Sequence, residues 1–280
     1  MNEEQIRSIE IAMLVDAIKR VHGYDLSQYA KASLTRRLNH WLAQSGYDCL
    51  GSAMSQLLRD PLLCRQLVQD LTVNVTEMFR DPAVFKALRA EAIPLLRTYP
   101  HARIWIAGCA SGEEVYSLAI LLHEEGVIDQ CRIYATDLNE RVLEQARQGT
   151  VPLKNMQRYT RNYQAAGGKA AFSDYYVARY DRALFDARLL RNAVFAVHNL
   201  ATDADFSEMH LIMCRNVMIY FEPLLKERVL HLFDSCLVPG GLLCLGTKES
   251  LEHRAVGGRY REVQARTRIY HKQYSAGALA

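Results

Sequence analysis

The feature that most constrains the fold is a strand, a glycine turn, a helix and a second strand in direct succession. The apolar run 103–107 predicts a short strand, and the small residues 108–112 predict a turn. Helical periodicity follows over 113–123, and a second apolar strand over 131–136 ends at Asp137. Strands that alternate with helices form mainly parallel sheets with both faces covered. The pattern therefore predicts a doubly wound α/β domain.

The same alternation continues towards the end of the chain, with one interruption. The sequence predicts a helix over 140–148, a strand over 211–214, a helix over 223–237 and two final strands, over 242–246 and near 268–271. Residues from about 149 to 192 do not fit the alternation and are rich in tyrosine. We expect this segment to be an insertion into the α/β core, forming a small helical or antiparallel subdomain.

Residues 4 to about 70 show helical periods and no convincing strand. A first helix ends at His22 and Gly23, and its apolar stripe is predicted to be buried: Ile6, Ile9, Met13, Ala17, Ile18 and Val21. A second helix ends at Ser45 and Gly46 and carries an apolar face made by Leu34, Leu38, Trp41 and Leu42. Arg36, Arg37 and His40 lie on the opposite face. That basic face is either a solvated surface or a recognition surface, since residues 26–47 contain no carboxylate.

Composition excludes several classes of protein. The 34 basic and 31 acidic residues give a net charge of only +3, which argues against general nucleic-acid binding. No apolar run approaches the roughly 18 residues of a membrane span, and the start of the chain is acidic where a signal peptide is basic. The seven cysteines form no CxxC pair and are interpreted as reduced core residues rather than disulfides or zinc ligands. We expect a cytoplasmic protein that is not inserted in a membrane.

The glycine turn is the first indication of a ligand. Gly108 and Gly112 give G-x-x-x-G, which is neither the dinucleotide fingerprint nor a phosphate loop. Asp137, at the end of the second strand, can accept hydrogen bonds from both hydroxyls of a ribose, although it can also cap the next helix. Together these residues favour an adenosine ligand without phosphates, and S-adenosylmethionine fits best.

Two further sets of polar residues flank this turn. Ser111 and Glu114 have the spacing of a capping box, which leaves Glu113 to face the loop. A carboxylate at that place can bind an ammonium group or simply favour the helix dipole. Upstream, Asp81 and Pro82 predict the cap and first residue of another helix, so that the residues before them form an irregular loop.

Five blocks of residues, in this order, resemble the signature of the chemotaxis receptor methyltransferases (CheR). The blocks are Asn74-Val75-Thr76-Glu77-Met78-Phe79-Arg80, Ser111-Gly112-Glu113-Glu114-x-Tyr116-Ser117, Ala135-Thr136-Asp137-Leu138, His198-Asn199-Leu200 and Cys214-Arg215-Asn216-Val217-Met218-Ile219-Tyr220-Phe221. They span residues 74–221 and keep the order and spacing of that family. The insertion does not look like the short β-subdomain that docks a receptor pentapeptide in some members, so whether such a peptide is bound here stays open.

The resemblance implies an α/β fold of the class I S-adenosylmethionine-dependent methyltransferases, a Rossmann-like doubly wound sheet, with a small all-α N-terminal domain and an inserted subdomain. It places a receptor-recognition domain at residues 1–73 and the methyltransferase domain at 74–280, with the insertion at about 149–192. The implied partners are methyl-accepting chemotaxis receptors, whose acidic helical bundles carry the glutamates to be esterified. S-adenosylhomocysteine is the implied second product.

The resemblance also assigns roles to residues. The cofactor set is Asn74, Thr76, Arg80, Gly108, Glu113, Asp137, Asn199, Leu200, Arg215 and Asn216. Arg80 and Tyr220 are expected near the transferred methyl as catalytic residues, and Arg36, Arg37 and His40 are expected to meet the acidic receptor. Two alternatives remain open from the sequence: a methyltransferase of another acceptor, or a non-catalytic module that binds S-adenosylmethionine and signals by contact.

Overall fold

A computed structural model describes residues 2–72, 76–204, 207–251, 256 and 258–274 of the 280. The chain divides into two compact units. The helical unit comprises Met1–Val73, Leu200–Thr202 and Tyr220–Arg228, and the sheet unit comprises Asn74–Asn199, Asp203–Ile219 and Val229–Ala280.

Four helices precede the linker: α1 Glu3–His22, α2 Lys31–Ser45, α3 Leu50–Arg59 and α4 Pro61–Leu71. Both predicted glycine stops are confirmed, since Gly23 and Gly46 adopt left-handed conformations at the ends of α1 and α2. The predicted apolar face of α2 is also buried.

The predicted buried stripe of α1 is largely wrong. Ile6, Ile9, Met13 and Val21 are 46%, 48%, 57% and 55% exposed. The buried residues of α1 are instead Leu14, Val15 and Ile18. Helix α1 has apolar residues on more than one side, and periodicity alone could not tell which of these sides packs against α3.

The sheet unit has five helices among its described residues, of which the last begins in the helical unit: α5 Pro82–Arg97, α6 Glu113–Glu124, α7 Glu140–Gln148, α8 Met156–Ala165 and α9 Pro223–Cys236. Its strands are β1 Ala102–Ala107, β2 Cys131–Asp137, β3 Thr150–Pro152, β4 Tyr176–Arg179, β5 Arg182–Phe185, β6 Ala193–Val197, β7 Met209–Cys214, β8 Leu237–Leu245, β9 Tyr260–Glu262 and β10 Ile269–Lys272.

Seven strands form the main sheet, in the order β6-β2-β1-β7-β8-β10-β9. The neighbours from β6 to β8 are parallel, whereas β10 runs antiparallel to both β8 and β9. The prediction of a mainly parallel doubly wound sheet is confirmed. The strands β6 and β9 were not predicted: β6 is an apolar run of five residues directly after the insertion, and β9 spans only three residues.

Residues 149–192 form a second, three-stranded antiparallel sheet in the order β3-β5-β4, together with α8. The sequence left open whether this insertion is helical or antiparallel, and the structure shows that it contains both a helix and an antiparallel sheet. The insertion contains this small β-sheet although its sequence does not look like the family's β-subdomain. Tyr159, Tyr163 and Phe172 of this segment are buried in the same hydrophobic core as α5 and α6.

Two further observations concern the described residues. None of their helices combines the length and the apolar character needed to cross a bilayer. All seven cysteines are free thiols, six of them buried and Cys49 half-buried.

Candidate functional site

The site is positioned by the order of the strands. The chain leaves β1 for β2 and β6 on one side and returns to β7 on the other, so the order reverses beside β1. Open α/β sheets bind ligands outside the carboxyl ends of strands at such a reversal. Gly108, Asp137 and Arg215 each come directly after or at the end of β1, β2 and β7.

The glycine turn after β1 is tightly packed. Gly108 has φ +79°, and a Cβ atom there would lie 2.4 Å from Val217 Cγ2. The backbone N–H groups of Gly108 and Cys109 both donate to the carbonyl oxygen of Thr136, at 2.8 and 2.9 Å. Only glycine allows the turn to approach the loop after β7 so closely.

Asp137 is joined to this turn. Its Oδ2 accepts a hydrogen bond of 2.9 Å from the Ala110 N–H, and its Oδ1 accepts one of 2.9 Å from the Asn139 N–H. Burial raises the pKa of Asp137, although these backbone bonds oppose the shift. The cap of α7 is Asn139, whose side chain accepts from the Arg141 N–H, so the alternative role of Asp137 as the helix cap is wrong.

The predicted capping box at Ser111 and Glu114 is also wrong. Helix α6 begins after Gly112, which holds the cap position at φ +93° and has no side chain with which to cap. Ser111 Oγ instead donates to Glu113 Oε2 at 2.7 Å. Glu113 faces the loop as expected, is 6% exposed and accepts a long hydrogen bond of 3.5 Å from the Tyr159 hydroxyl. Burial raises the pKa of Glu113, against the hydrogen bond from Ser111.

Residues 76–81, which we call the arginine turn, carry Arg80 between two residues of positive φ. Phe79 has φ +49° and Asp81 has φ +55°, which is unusual for side chains of their size. The Phe79 N–H donates to Ser117 Oγ at 2.8 Å, and that hydroxyl donates to the Glu113 carbonyl at 2.6 Å. Helix α5 begins at Pro82 as predicted, but the Asp81 side chain does not cap it.

Arg215 explains why Asp81 does not cap the helix. Its side chain is fully buried, with Nη1 2.8 Å from Glu114 Oε2 and Nη2 2.8 Å from Asp81 Oδ2. Nη2 also donates to the Arg80 carbonyl at 2.9 Å. Burial alone would lower the pKa of Arg215, but the Glu114 and Asp81 carboxylates outweigh it and raise that pKa. Arg215 thus cross-links the arginine turn to α6.

The loop after β7 is held by Glu249, a residue that sequence reasoning missed. Glu249 is 5% exposed and accepts backbone hydrogen bonds from Asn216, Ile219 and Gly246, at 3.0, 3.2 and 2.6 Å. Asn216 has φ +60°, and its Oδ1 atom is buried with no partner among the described residues. Nothing in the sequence marks a lone glutamate after β8 as a loop anchor. Ser117, by contrast, ends one of the recognised blocks and could have been singled out.

The remaining cofactor candidates are placed as follows. Asn74 lies outside the described residues, and Thr76 is half-buried. The Asn199 N–H donates to Asp203 Oδ2 at 2.8 Å, and Leu200 is 8% exposed.

Tyr220 is part of the helical unit, where its carbonyl accepts a 2.8 Å hydrogen bond from the Ala30 N–H. The next residue, Phe221, packs edge-to-face on Tyr29 with ring centroids 5.3 Å apart. Tyr220 is therefore fixed to the segment that leads into α2.

The basic face of α2 is only partly available as a surface. Arg36 and His40 are exposed, and His40 contacts Gln44 at 3.2 Å. Arg37 is different: its Nη1 donates to the Thr72 carbonyl at 2.7 Å, and burial lowers its pKa. The expectation that Arg37 shares an open face with Arg36 is corrected, because its guanidinium is bound at the end of α4.

Comparison with known proteins gives two matches to family descriptions. Residues 74–268 match "CheR methyltransferase, SAM binding domain", and residues 9–72 match "CheR methyltransferase, all-alpha domain". The chain is 46% identical to Cher3 of Pseudomonas putida, which carries the name of a methyltransferase, over 97% of this chain and 100% of the relative. It is 30% identical to a chemotaxis protein methyltransferase of Listeria innocua, over 84% of this chain and 87% of the relative.

Proposed function

The chain belongs to the CheR methyltransferase family, and on that premise we propose that it transfers the methyl group of S-adenosylmethionine to glutamate side chains of chemoreceptors. The family establishes an S-adenosylmethionine-dependent methyltransferase. Relatives that are named chemotaxis protein methyltransferases support the receptor as acceptor. The single observation that carries the proposal is the geometry of the arginine turn. Hydrogen bonds to the Phe79 N–H and the Arg80 carbonyl hold the backbone at Arg80, close to the buried carboxylates of the site.

The polar groups of the site fit S-adenosylmethionine. Glu113 is a buried carboxylate suited to the ammonium group, and Asp137 retains acceptor capacity for the ribose hydroxyls. The unpartnered Asn216 Oδ1 is an acceptor that awaits an N–H or O–H donor. When bound, the cofactor supplies an electrophilic methyl group on a positively charged sulfur.

The proposed reaction asks little acid–base chemistry of the protein. A receptor glutamate is ionised at neutral pH, so no general base is needed, and the task is to align the carboxylate. Arg80 is the proposed group for this alignment, and Tyr220 is proposed as the second catalytic residue. Burial raises the pKa values of the Cys109 and Cys214 thiols well above the ordinary range of a thiol. Both thiols therefore stay protonated and are weak nucleophiles that do not compete with the receptor carboxylate for the methyl group.

Recognition of the acidic receptor is proposed to fall to Arg36 and His40. They are the exposed members of the basic face of α2, in a stretch without carboxylates. We place the reaction in the cytoplasm, which agrees with seven free cysteines.

The proposal is tested by incubating the protein with methyl-labelled S-adenosylmethionine and membranes that contain chemoreceptors. Label should appear on the receptors with the wild type. Asp137→Ala should weaken cofactor binding by about tenfold or more in calorimetry, since two hydrogen bonds to a charged group are lost. Cofactor binding without any transfer to receptor would instead support a sensor module.

A further inference from the structure

Helix α8 of the insertion turns one of its faces towards the site. Asn162 and Tyr163 lie three and four residues after Tyr159, which places both on the same side of the helix as Tyr159. Both tyrosines are only 1% exposed. The insertion is therefore packed into the sheet unit by this face and is not an appendage to it.

Three successive residues of the arginine turn each contact a different side chain of α8. Glu77 Oε2 lies 3.1 Å from Arg158 Nε. The Met78 carbonyl accepts a hydrogen bond of 3.0 Å from Asn162 Nδ2. The Phe79 ring packs edge-to-face on Tyr163, with centroids 5.2 Å apart.

The Asn162 contact is the one that bears on Arg80. Phe79 and Asp81 hold positive φ angles, a strained conformation that persists only where surrounding contacts impose it. Ser117 binds the Phe79 N–H and Arg215 binds the Arg80 carbonyl. Asn162 adds a third hydrogen bond, to the carbonyl of Met78, the residue that directly precedes the strained segment.

The same face of α8 reaches the carboxylate on the other side of the turn. The Tyr159 hydroxyl donates to Glu113 Oε1 at 3.5 Å and accepts from Asn155 Nδ2 at 3.4 Å. Burial and the Glu113 charge raise the pKa of Tyr159 to about 12, so the hydroxyl remains a donor at neutral pH.

We propose that α8 is a positioning element of the methyltransferase site, in which Asn162 fixes the arginine turn and Tyr159 orients the Glu113 carboxylate. The inference rests on the proposed function and assigns the insertion a part in it. The two residues act through different partners. Asn162 therefore affects the rate of methyl transfer, and Tyr159 affects the affinity for the cofactor.

The first experiment replaces Asn162 by Asp, which removes the Nδ2 donor at nearly constant shape. Gln164→Glu is the matched control, because it makes the same amide-to-acid change on an exposed side chain of the same helix. We expect Asn162→Asp to lower kcat for receptor methylation about tenfold, while the Kd for S-adenosylhomocysteine changes less than about twofold. Gln164→Glu should change neither quantity.

The second experiment replaces Tyr159 by Phe, with Tyr176→Phe as control. Tyr176 belongs to the same insertion and packs its ring on Phe172 and Phe185. Loss of a buried hydroxyl bond of about 1 kcal/mol should raise the Kd for S-adenosylhomocysteine about fivefold in calorimetry. At saturating cofactor, kcat should stay within about twofold of the wild type.

If Asn162→Asp disturbs folding, Asn162→Ser serves as a milder second variant. The serine side chain is too short to form the hydrogen bond to the Met78 carbonyl. The inference is overturned if the folded Asn162 variant keeps wild-type kcat, or if Tyr159→Phe binds S-adenosylhomocysteine as tightly as its control. A wild type that neither binds S-adenosylhomocysteine nor methylates receptor defeats the proposed function itself. The two failures are thus separate, because the positioning claim is judged only against an active wild type.

Discussion

Individual side chains of the site are governed by what surrounds them in the fold rather than by their motif. Glu114 fits a capping box by spacing, yet it pairs with Arg215 from a strand end 101 residues away. Asp81 fits a helix cap and is drawn to the same guanidinium. Arg37 fits an exposed basic face and is bound to the Thr72 carbonyl. A guanidinium group that is removed from water needs hydrogen-bond acceptors, and it takes them from whichever residues the fold brings next to it. Sequence spacing alone does not show which residues those are.

The Arg215 cluster predicts a large stability effect. Arg215→Met removes the buried charge and leaves the Asp81 and Glu114 carboxylates without their guanidinium partner. We expect the free energy of unfolding to fall by about 3–5 kcal/mol, measured by denaturant titration. Arg188→Met, which breaks an exposed ion pair with Asp186, is the control and should leave the free energy of unfolding nearly unchanged. Equal effects of the two substitutions would contradict the cross-linking role.

Glu113 predicts how cofactor affinity depends on pH. Its pKa is raised above the ordinary value of 4.5 by burial, and only the ionised form attracts an ammonium group. Affinity for S-adenosylhomocysteine should therefore be constant at neutral pH and fall as the pH drops through that raised pKa. Glu113→Gln should weaken binding at neutral pH and flatten the acid limb in calorimetry. The flattening should be partial, because burial also raises the pKa of Asp137. An unaltered acid limb in Glu113→Gln would remove the assignment.

At the scale of elements, hydrophobic periodicity was sufficient to predict the bounds of a clearly amphipathic helix and of a long apolar strand. The predicted bounds of α7 and the end of β2 at Asp137 are confirmed. Strand β6 was missed although its five residues are all apolar, because it follows directly on the insertion, where the alternation of strands and helices is lost. The exposed stripe of α1 shows the opposite failure, in which a regular apolar pattern does not face the core.

The glycine turn carries a prediction at this scale. Gly108→Ala adds a Cβ at positive φ and brings it against Val217 Cγ2, so it should destabilise the protein by about 2–3 kcal/mol. Adding Val217→Ala relieves the steric part alone. In a double-mutant cycle the two changes should show a favourable coupling of at least about 0.5 kcal/mol. Strict additivity would mean that the two loops do not touch.

For the whole molecule, the predicted α/β architecture and the family were accessible from sequence because five motif blocks keep their order over the chain. The contacts that α8 makes with the arginine turn were not accessible. They join residues about 80 positions apart through a segment whose composition gave no function. Long-range contacts of this kind depend on how the insertion packs, which local pattern does not encode.

The proposed recognition of an acidic receptor depends on the molecule's surface charge. Arg36→Glu should raise the Michaelis constant for receptor several-fold, leave the Kd for S-adenosylhomocysteine unchanged and reduce the salt sensitivity of methylation, because exposed charges act on encounter. Arg37 is left intact, since its replacement would disturb the end of α4. Arg20→Glu, an equal charge reversal on α1, is the control. Identical kinetics for the two variants at low salt would exclude Arg36 from recognition.

The most direct test of the account is to locate the transferred methyl group. Receptor is incubated with the wild-type protein and S-adenosylmethionine that carries an isotopically labelled methyl, and its peptides are then sequenced by mass spectrometry before and after treatment with base. The account predicts label on glutamate side chains that base releases as methanol, and no label when those glutamates are replaced by alanine. Base-stable label, or label on any other side chain, would contradict it.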